Sequence, residues 1–232
     1  KLDAGFLSKI KAELGAAFKG AKTIAVKLHF GEPGNKNAFT PERVKPVIDL
    51  LKELKLNYFL YDTSVAYDSP RNNPAAHKKC ALKKRWGKLG EVRTGDDFVL
   101  VKGKNMDYEV SKTLASADGV LVLSHVKGHA CTGMAGAIKN LGMGALTKKS
   151  KNAIHSGGKP KITGECEQCM ACEEACVLNS LKVKDKPVFG ACFGCSNCVY
   201  ACTHNTITTV LNYFDVLLAE GAASAQAVFK KY

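Results

Sequence analysis

The chain has 232 residues, of which 34 are Lys or Arg and 21 are Asp or Glu, so its formal net charge is +13. Hydrophobic residues make up 46% and charged residues 24%, a globular composition that excludes a disordered or collagen-like chain. The apolar stretches are too short to span a bilayer, and no basic-then-apolar leader opens the sequence. Because it begins with Lys1 and not Met, we expect the chain to be part of a longer protein.

Charge and cysteine are distributed unequally along the chain. Residues 1–160 hold 28 Lys or Arg and 14 Asp or Glu, whereas residues 161–232 hold 6 and 7. Eight of the 10 cysteines lie in the later part. This asymmetry predicts two modules with different roles. The basic excess of the first is either a solvated surface or a docking face for an anion.

Hydrophobic periodicity predicts alternating strands and helices in the first module. The predicted strands cover 22–30, 56–62, 98–101 and 119–124, and the predicted helices cover 41–54, 73–86 and 111–115. Asn73 followed by Pro74 is typical of a helix start. The alternation indicates an α/β domain with a mainly parallel sheet.

Polar residues collect where three of these strands end, and a glycine-rich segment, 131–144, follows the last one. We expect a helix from about Gly133 to present free N–H groups to an anion. Ligands of open α/β sheets bind beyond the carboxyl ends of the strands. The site would take a carboxylate, a phosphate or a metal, although each side chain could also be an ordinary hydrogen-bonded residue at a strand end. The candidate site residues are His29, Asp62, His125, His129 and Lys139.

The eight later cysteines form two quartets, each spaced C-x2-C-x2-C-x3-C, and the second is the first displaced by 26 residues. The quartets are Cys166, Cys169, Cys172 and Cys176, then Cys192, Cys195, Cys198 and Cys202. The same displacement carries Asn179 onto Asn205 and Leu181 onto Ile207. The quartets are therefore an internal duplication.

Three kinds of chemistry use clustered cysteines. Disulfides need an oxidising compartment, which nothing indicates, and zinc sites usually combine C-x2-C pairs from separated places. Three cysteines in one loop and a fourth that reaches the other cluster are the spacing of paired 4Fe–4S clusters. We therefore predict two such clusters as cofactors. The first is expected on Cys166, Cys169, Cys172 and Cys202, and the second on Cys192, Cys195, Cys198 and Cys176.

Residues 164–208 resemble a bacterial-type two-cluster ferredoxin domain. Val177 and Thr203 stand where that domain usually has a proline after the fourth cysteine, but proline is not a ligand. The resemblance implies a small α+β module that carries single electrons.

A second resemblance covers most of 22–208. The segments KLHFGEPGN (27–35), LSHVKGH (123–129) and GAIKNLGMG (136–144), with Tyr67 and Arg71, are similar to the uncharacterised iron–sulfur-centre proteins, domain of unknown function 362. This resemblance implies an α/β domain with an inserted ferredoxin module. The expected layout is an α/β domain over 1–160, a two-cluster module over 161–208 and a helical segment over 209–232 that continues the α/β domain.

We expect an iron–sulfur redox protein that transfers single electrons, as an oxidoreductase or reductase component, to a partner protein or a small anionic substrate. The alternative is an enzyme that works in the His/Asp/Lys pocket, with the clusters as a relay. A nucleic-acid-binding protein is disfavoured because the basic residues lack interleaved aromatic residues. Oxygen-sensitive clusters and the absence of an export signal predict a cytoplasmic location.

Overall fold

The computed structural model describes residues 3–232 and contains helices and strands in alternation. The helices are α1 (Ala4–Ala17), α2 (Pro41–Glu53), α3 (Pro74–Lys83), α4 (Lys112–Ser116), α5 (Ala137–Gly142), α6 (Lys148–Gly157), α7 (Ala171–Glu174), α8 (Asn197–Ala201) and α9 (Phe214–Ala227). The strands are β1 (Thr23–Lys27), β2 (Asn57–Asp62), β3 (Val92–Thr94), β4 (Phe98–Lys102), β5 (Asp107–Ser111), β6 (Gly119–Val122), β7 (Lys127–His129), β8 (Gly133–Ala135), β9 (Pro160–Ile162), β10 (Leu181–Val183), β11 (Pro187–Phe189) and β12 (Ile207–Thr209). No helix within residues 3–232 is long and apolar enough to cross a membrane.

A four-stranded parallel sheet in the order β3-β2-β1-β6 positions the candidate site. The central strand β1 is fully buried from Ile24 to Lys27, as expected for a parallel strand covered on both faces. Because all four strands run the same way, their carboxyl ends lie at one edge. The predicted α/β class with a parallel sheet is confirmed.

Two hydrophobic cores cover the two faces of this sheet. Ile24 and Val26 of β1 pack in one core with Ile48 of α2, and Ala25 packs in the other with Phe214 of α9. The alternation follows from the two-residue period of a strand, which sends successive side chains to opposite faces. The C-terminal helix α9 therefore belongs to the core beneath the sheet and also contacts α5 and α6.

Two predicted elements differ in the structure. The predicted strand over 98–101 forms β4, but it pairs antiparallel with β5 in a separate hairpin and does not join the parallel sheet. The prediction of a helix from Gly133 is wrong, because residues 133–135 form β8, which pairs antiparallel with β7. Gly133 has a φ of 65°, which is incompatible with an α-helix, and α5 begins only at Ala137.

The cysteine-rich residues fold around a small core of their own. Strands β9 and β12 form one antiparallel pair, and β10 and β11 form another. The buried residues of this core are Cys172, Leu181, Cys198, Val199 and Ile207. Two of the predicted cluster cysteines thus lie inside the unit, each on one of the short helices α7 and α8.

Candidate functional site

All five residues predicted at the sheet edge line one cavity of about 320 Å³. His29 follows β1, Asp62 ends β2, His125 follows β6, His129 ends β7 and Lys139 lies in α5. The shared location follows from the parallel strands, whose carboxyl ends open onto the same crevice. The hairpin β7–β8 supplies His129, so this part of the wall depends on the element that the sequence did not predict.

A buried ion pair forms the floor of the cavity. Lys27 Nζ lies 3.0 Å from Asp62 Oδ1, with side-chain exposures of 0% and 4%. Burial alone would raise the pKa of Asp62, but Lys27 and the neighbouring His77, His29 and Arg71 hold this pKa below its usual range. Asp62 is therefore a carboxylate at neutral pH.

Asn140 connects this floor to the last strand of the sheet. Its Oδ1 accepts a hydrogen bond from Lys27 Nζ at 2.6 Å, and its Nδ2 donates to the carbonyl of Leu123 at 3.0 Å. One amide side chain therefore fixes the end of β6 relative to the end of β1. Asn140 belongs to the glycine-rich segment, but it was not among the candidate site residues.

A second charged group, centred on Arg71, closes one side of the cavity. Arg71 Nη2 donates to Glu32 Oε1, and Tyr67 donates its hydroxyl hydrogen to the same carboxylate oxygen. Burial would raise the pKa of Glu32, but these hydrogen bonds lower it to about 2. Arg71 Nη1 also lies 3.8 Å from Asp62 Oδ2. Arg71 therefore joins the two carboxylates of the cavity lining.

Two buried polar residues near Asp62 and Thr63 were not predicted from the sequence. His77 was not among the candidate residues, yet it is fully buried, with Nε2 3.6 Å from Asp62 Oδ2 and its ring edge-on to Phe30. Lys151, also buried, donates to Thr63 Oγ1 at 2.8 Å. A polar residue at each of these helix positions is ordinary, so no local pattern marks it as part of a site.

Two histidines of the cavity, His29 and His129, are neutral at pH 7. Removal from solvent, together with nearby cations, lowers the pKa of His29 to about 4 and that of His129 to about 4. The N–H of Gly31 donates to His29 Nδ1 at 2.9 Å, so the hydrogen of that ring is on Nε2. His125 packs against Phe39, with 5.3 Å between ring centroids. Neutral imidazoles such as those of His29 and His129 can donate hydrogen bonds or move protons.

The cavity lining is predominantly cationic. Five Lys or Arg side chains line it against two carboxylates. The cations are Lys27, Arg71, Lys127, Lys139 and Lys151, and the carboxylates are Glu32 and Asp62. This excess of positive charge favours an anionic ligand.

A second, smaller pocket is lined by Cys166, Cys169, Cys172 and Cys202. This set combines three cysteines of the first quartet with the last cysteine of the second. It is the crossed set that the spacing predicts for one cluster. No group of three or more His, Cys, Asp or Glu within residues 3–232 is arranged to hold a metal ion. A cubane cluster is a larger group than an ion, and its thiolates are spread around several metal atoms.

The other four cysteines are also neighbours. Burial raises the pKa of Cys198 to about 12, and thiol groups of Cys192, Cys195, Cys172 and Cys176 add to this effect. The two quartets therefore lie side by side, with Cys172 and Cys198 in the shared core. Each of these thiols would have to lose its proton to act as a ligand.

The duplication in the sequence is repeated in the backbone. Positive φ angles occur at Gln168 (52°) and Met170 (62°), and 26 residues later at Gly194 (71°) and Ser196 (64°). Backbone N–H groups also point at sulfur at equivalent places. Gln168 N–H donates to Cys166 Sγ at 3.4 Å, and Gly194 N–H donates to Cys192 Sγ at 3.3 Å. The two loops therefore have the same conformation, with N–H groups directed at the thiols.

The loop of the second quartet lies against the wall of the cavity. His155, which lines the cavity, is hydrogen-bonded through Nδ1 to the carbonyl of Phe193 at 2.7 Å. Cys131, two residues after His129, packs in the same core as Cys195. Asn197 Nδ2 donates to the carbonyl of Ala130 at 3.4 Å. The cavity and the second quartet are thus adjacent.

No curated protein matches the chain. The family described as Domain of unknown function (DUF362) matches residues 24–226, which include the sheet, the cavity and both cysteine quartets. The chain therefore belongs to the DUF362 family.

Proposed function

We propose that this protein holds two 4Fe–4S clusters in an inserted ferredoxin-like module and transfers single electrons, as an electron-transfer protein or reductase component. The crossed set of four cysteines around one pocket is the observation that supports this best, because separate C-x2-C zinc pairs do not require it. Such clusters need a reducing compartment, which agrees with the cytoplasmic location expected from the sequence.

The residues of the two loops fit such a cofactor. Backbone N–H groups directed at Cys166 and Cys192 would stabilise thiolate charge, and hydrogen bonds to sulfur are one of the features that set the potential of a cluster. At the fourth cysteines, Ser180 N–H donates to Cys176 Sγ, and the Thr206 hydroxyl contacts Cys202 Sγ, each at 3.3 Å. When bound, the clusters would supply one-electron redox chemistry. The polypeptide would position them and limit their exposure to water.

The test is cluster content after anaerobic purification. We expect about eight irons and eight acid-labile sulfides per chain, and an EPR signal after reduction by a low-potential donor. Cys202→Ser is expected to lose about half of the iron, because only the first cluster uses that sulfur. Cys80→Ser is the control, since Cys80 lies on α3 outside both quartets. Stoichiometric zinc without sulfide, or equal iron in both variants, would contradict the proposal.

A second candidate function is catalysis in the cavity, with the clusters as a relay. The contact between His155 and Phe193 favours it, because this contact places the second quartet next to the cavity. The substrate would be a small anion, which the excess of cations attracts. We expect His29→Ala and His129→Ala to abolish binding of such an anion, measured by calorimetry, while iron content stays unchanged. Loss of iron in these variants, or unchanged binding, would count against it.

A further inference from the structure

Lys139 differs from the two buried lysines of the cavity, Lys27 and Lys151, in what its amino group contacts. Lys27 Nζ donates to a carboxylate and an amide oxygen at 3.0 and 2.6 Å, and Lys151 Nζ donates to a hydroxyl and a carbonyl oxygen. Oxygen acceptors of this kind match an ammonium group. Lys139 Nζ instead contacts Nε2 of His129. Within residues 3–232, no carboxylate forms an ion pair with it.

The hydrogen bonds around His129 decide which ring nitrogen carries the hydrogen. The N–H of Cys131 points at Nδ1 over 3.2 Å, and a backbone N–H can only donate, so Nδ1 presents its lone pair. The Thr132 hydroxyl lies 3.3 Å from Nδ1 but gives its hydrogen to the carbonyl of Met134 at 2.8 Å. A neutral imidazole whose Nδ1 accepts has its hydrogen on Nε2. Nε2 therefore donates to Lys139 Nζ.

An ammonium group has no lone pair and cannot accept this hydrogen bond. Lys139 therefore accepts this hydrogen bond only in its free-amine form. The groups that face Lys139 favour the free amine over the ammonium form. They are His129, which is neutral, Lys127, which is a cation, Cys131 and the more distant His155. Burial and Lys127 lower the pKa of Lys139 to about 8, and only Cys131 opposes them. A partly buried amine among cations is the usual form of a nucleophilic lysine.

We propose that Lys139 forms an imine with the carbonyl group of a small oxo acid bound in the cavity. Lys139 Nζ forms a bond to the carbonyl carbon, and the carbonyl oxygen then leaves as water with the two hydrogens of the amine. The step needs no oxidant or reductant. His129, held by the backbone of the β7–β8 hairpin, orients the amine and can exchange a proton with it.

The rest of the cavity selects the anionic part of such a substrate. Its four other Lys and Arg side chains, against two carboxylates, attract a carboxylate, and a volume of about 320 Å³ suits a small metabolite. The inference rests on the second proposed function, because it names the substrate class of that cavity. It does not depend on the clusters.

The test is reductive trapping on the complete chain, purified anaerobically. Pyruvate and cyanoborohydride are expected to give one adduct per chain, which peptide mapping places on Lys139. Lys139→Arg keeps the charge and should lose the adduct, whereas Lys79→Arg, an exposed residue on α3, should keep it. Propanal, which lacks the carboxylate, should react slower by on the order of tenfold. The rate at Lys139 should reach half its maximum near pH 8, against about 10.4 for ordinary lysines.

Each other outcome overturns the inference in a different way. Adducts spread over surface lysines, or trapping at Lys139 no faster than at Lys79, would show an ordinary lysine. Pyruvate binding by calorimetry without an adduct would overturn the imine and leave the second proposed function standing. Neither binding nor trapping would overturn both. Peptide mapping of the unmodified sequence decides the question even if Lys139→Arg fails to fold.

Discussion

The buried charges in the cavity floor lie close to groups of opposite charge. Lys27 is fully buried, and its carboxylate partner Asp62 also faces Arg71 and His77 at 3.8 and 3.6 Å. Removing two charges from water is unfavourable, and their mutual attraction offsets this only while both are present. Loss of one partner therefore leaves a buried charge without its closest counterion.

We expect Lys27→Met to lower the free energy of unfolding by about 3–5 kcal/mol, because Asp62 would keep its charge without its closest cation. Lys45→Met is the control, since it breaks an exposed i,i+4 pair with Asp49, and its effect should be about 0.5 kcal/mol or less. Denaturant titration followed by the fluorescence of buried Trp86 measures both. Equal losses in the two variants would mean that the buried pair adds nothing beyond a surface pair.

Among the secondary-structure elements, hydrophobic periodicity predicted the strands whose pairing follows from the alternation of strands and helices. Strands β1, β2 and β6 are examples, and their common edge gave the five candidate residues. The hairpin β7–β8 was not predicted, because it depends on a positive φ at Gly133 within only three-residue strands. The alternating segment that formed β4 was correctly a strand, but its pattern does not reveal which strand it pairs with.

The buried polar residues show the same limit. Of these residues, only Lys27 has a position that indicates its role. It lies within a strand of a sheet covered on both faces, so it is expected to be buried and to need a partner. Arg71 comes from a loop and His77 from α3, so their approach to Asp62 depends on the tertiary fold. The cysteine quartets, by contrast, could be recognised in the sequence because their members lie close together along the chain.

Helix α5 carries Lys139 and lies tightly against α9. A Cβ at Gly142 would overlap the carbonyl oxygen of Leu218, and it would lie 2.8 Å from that residue's Cδ1. Gly142→Ala is therefore expected to lower the free energy of unfolding by about 1–3 kcal/mol, through overpacking.

The matched substitution Gly15→Ala in α1 should have the opposite sign. The new Cβ would meet only Leu54 Cδ2, at an ordinary distance of 3.5 Å. Alanine also favours a helix over glycine by about 0.5–1 kcal/mol. Denaturant titration of both variants measures the difference. A loss of stability in Gly15→Ala as large as in Gly142→Ala would show that the contact with Leu218 is not the cause.

On the scale of the whole molecule, the cysteine-rich unit is attached to the α/β domain through the loop of its second quartet. Ser196 Oγ donates to the carbonyl of Gly158 at 2.9 Å and accepts from the N–H of Phe214 at 3.0 Å. The hydroxyl therefore connects the loop to the end of α6 and the start of α9. Together with the contact between His155 and Phe193, this attachment keeps the second quartet beside the cavity.

Gly194 is the residue at which this attachment is closest, and Gly194→Ala is expected to disrupt it. Its φ is 71°, and a Cβ there would overlap the carbonyl oxygen of His155 and approach the N of Lys159 to 3.1 Å. Gly20→Ala is the control, since Gly20 has a φ of 75° but nothing within 4 Å of the new Cβ. Both variants share the backbone strain of about 1 kcal/mol, and only Gly194→Ala adds the overlap. Hydrogen exchange should therefore rise at 155–159 and 192–198 in Gly194→Ala alone. The same exchange in both variants would show that the cysteine-rich unit does not depend on this contact for its position.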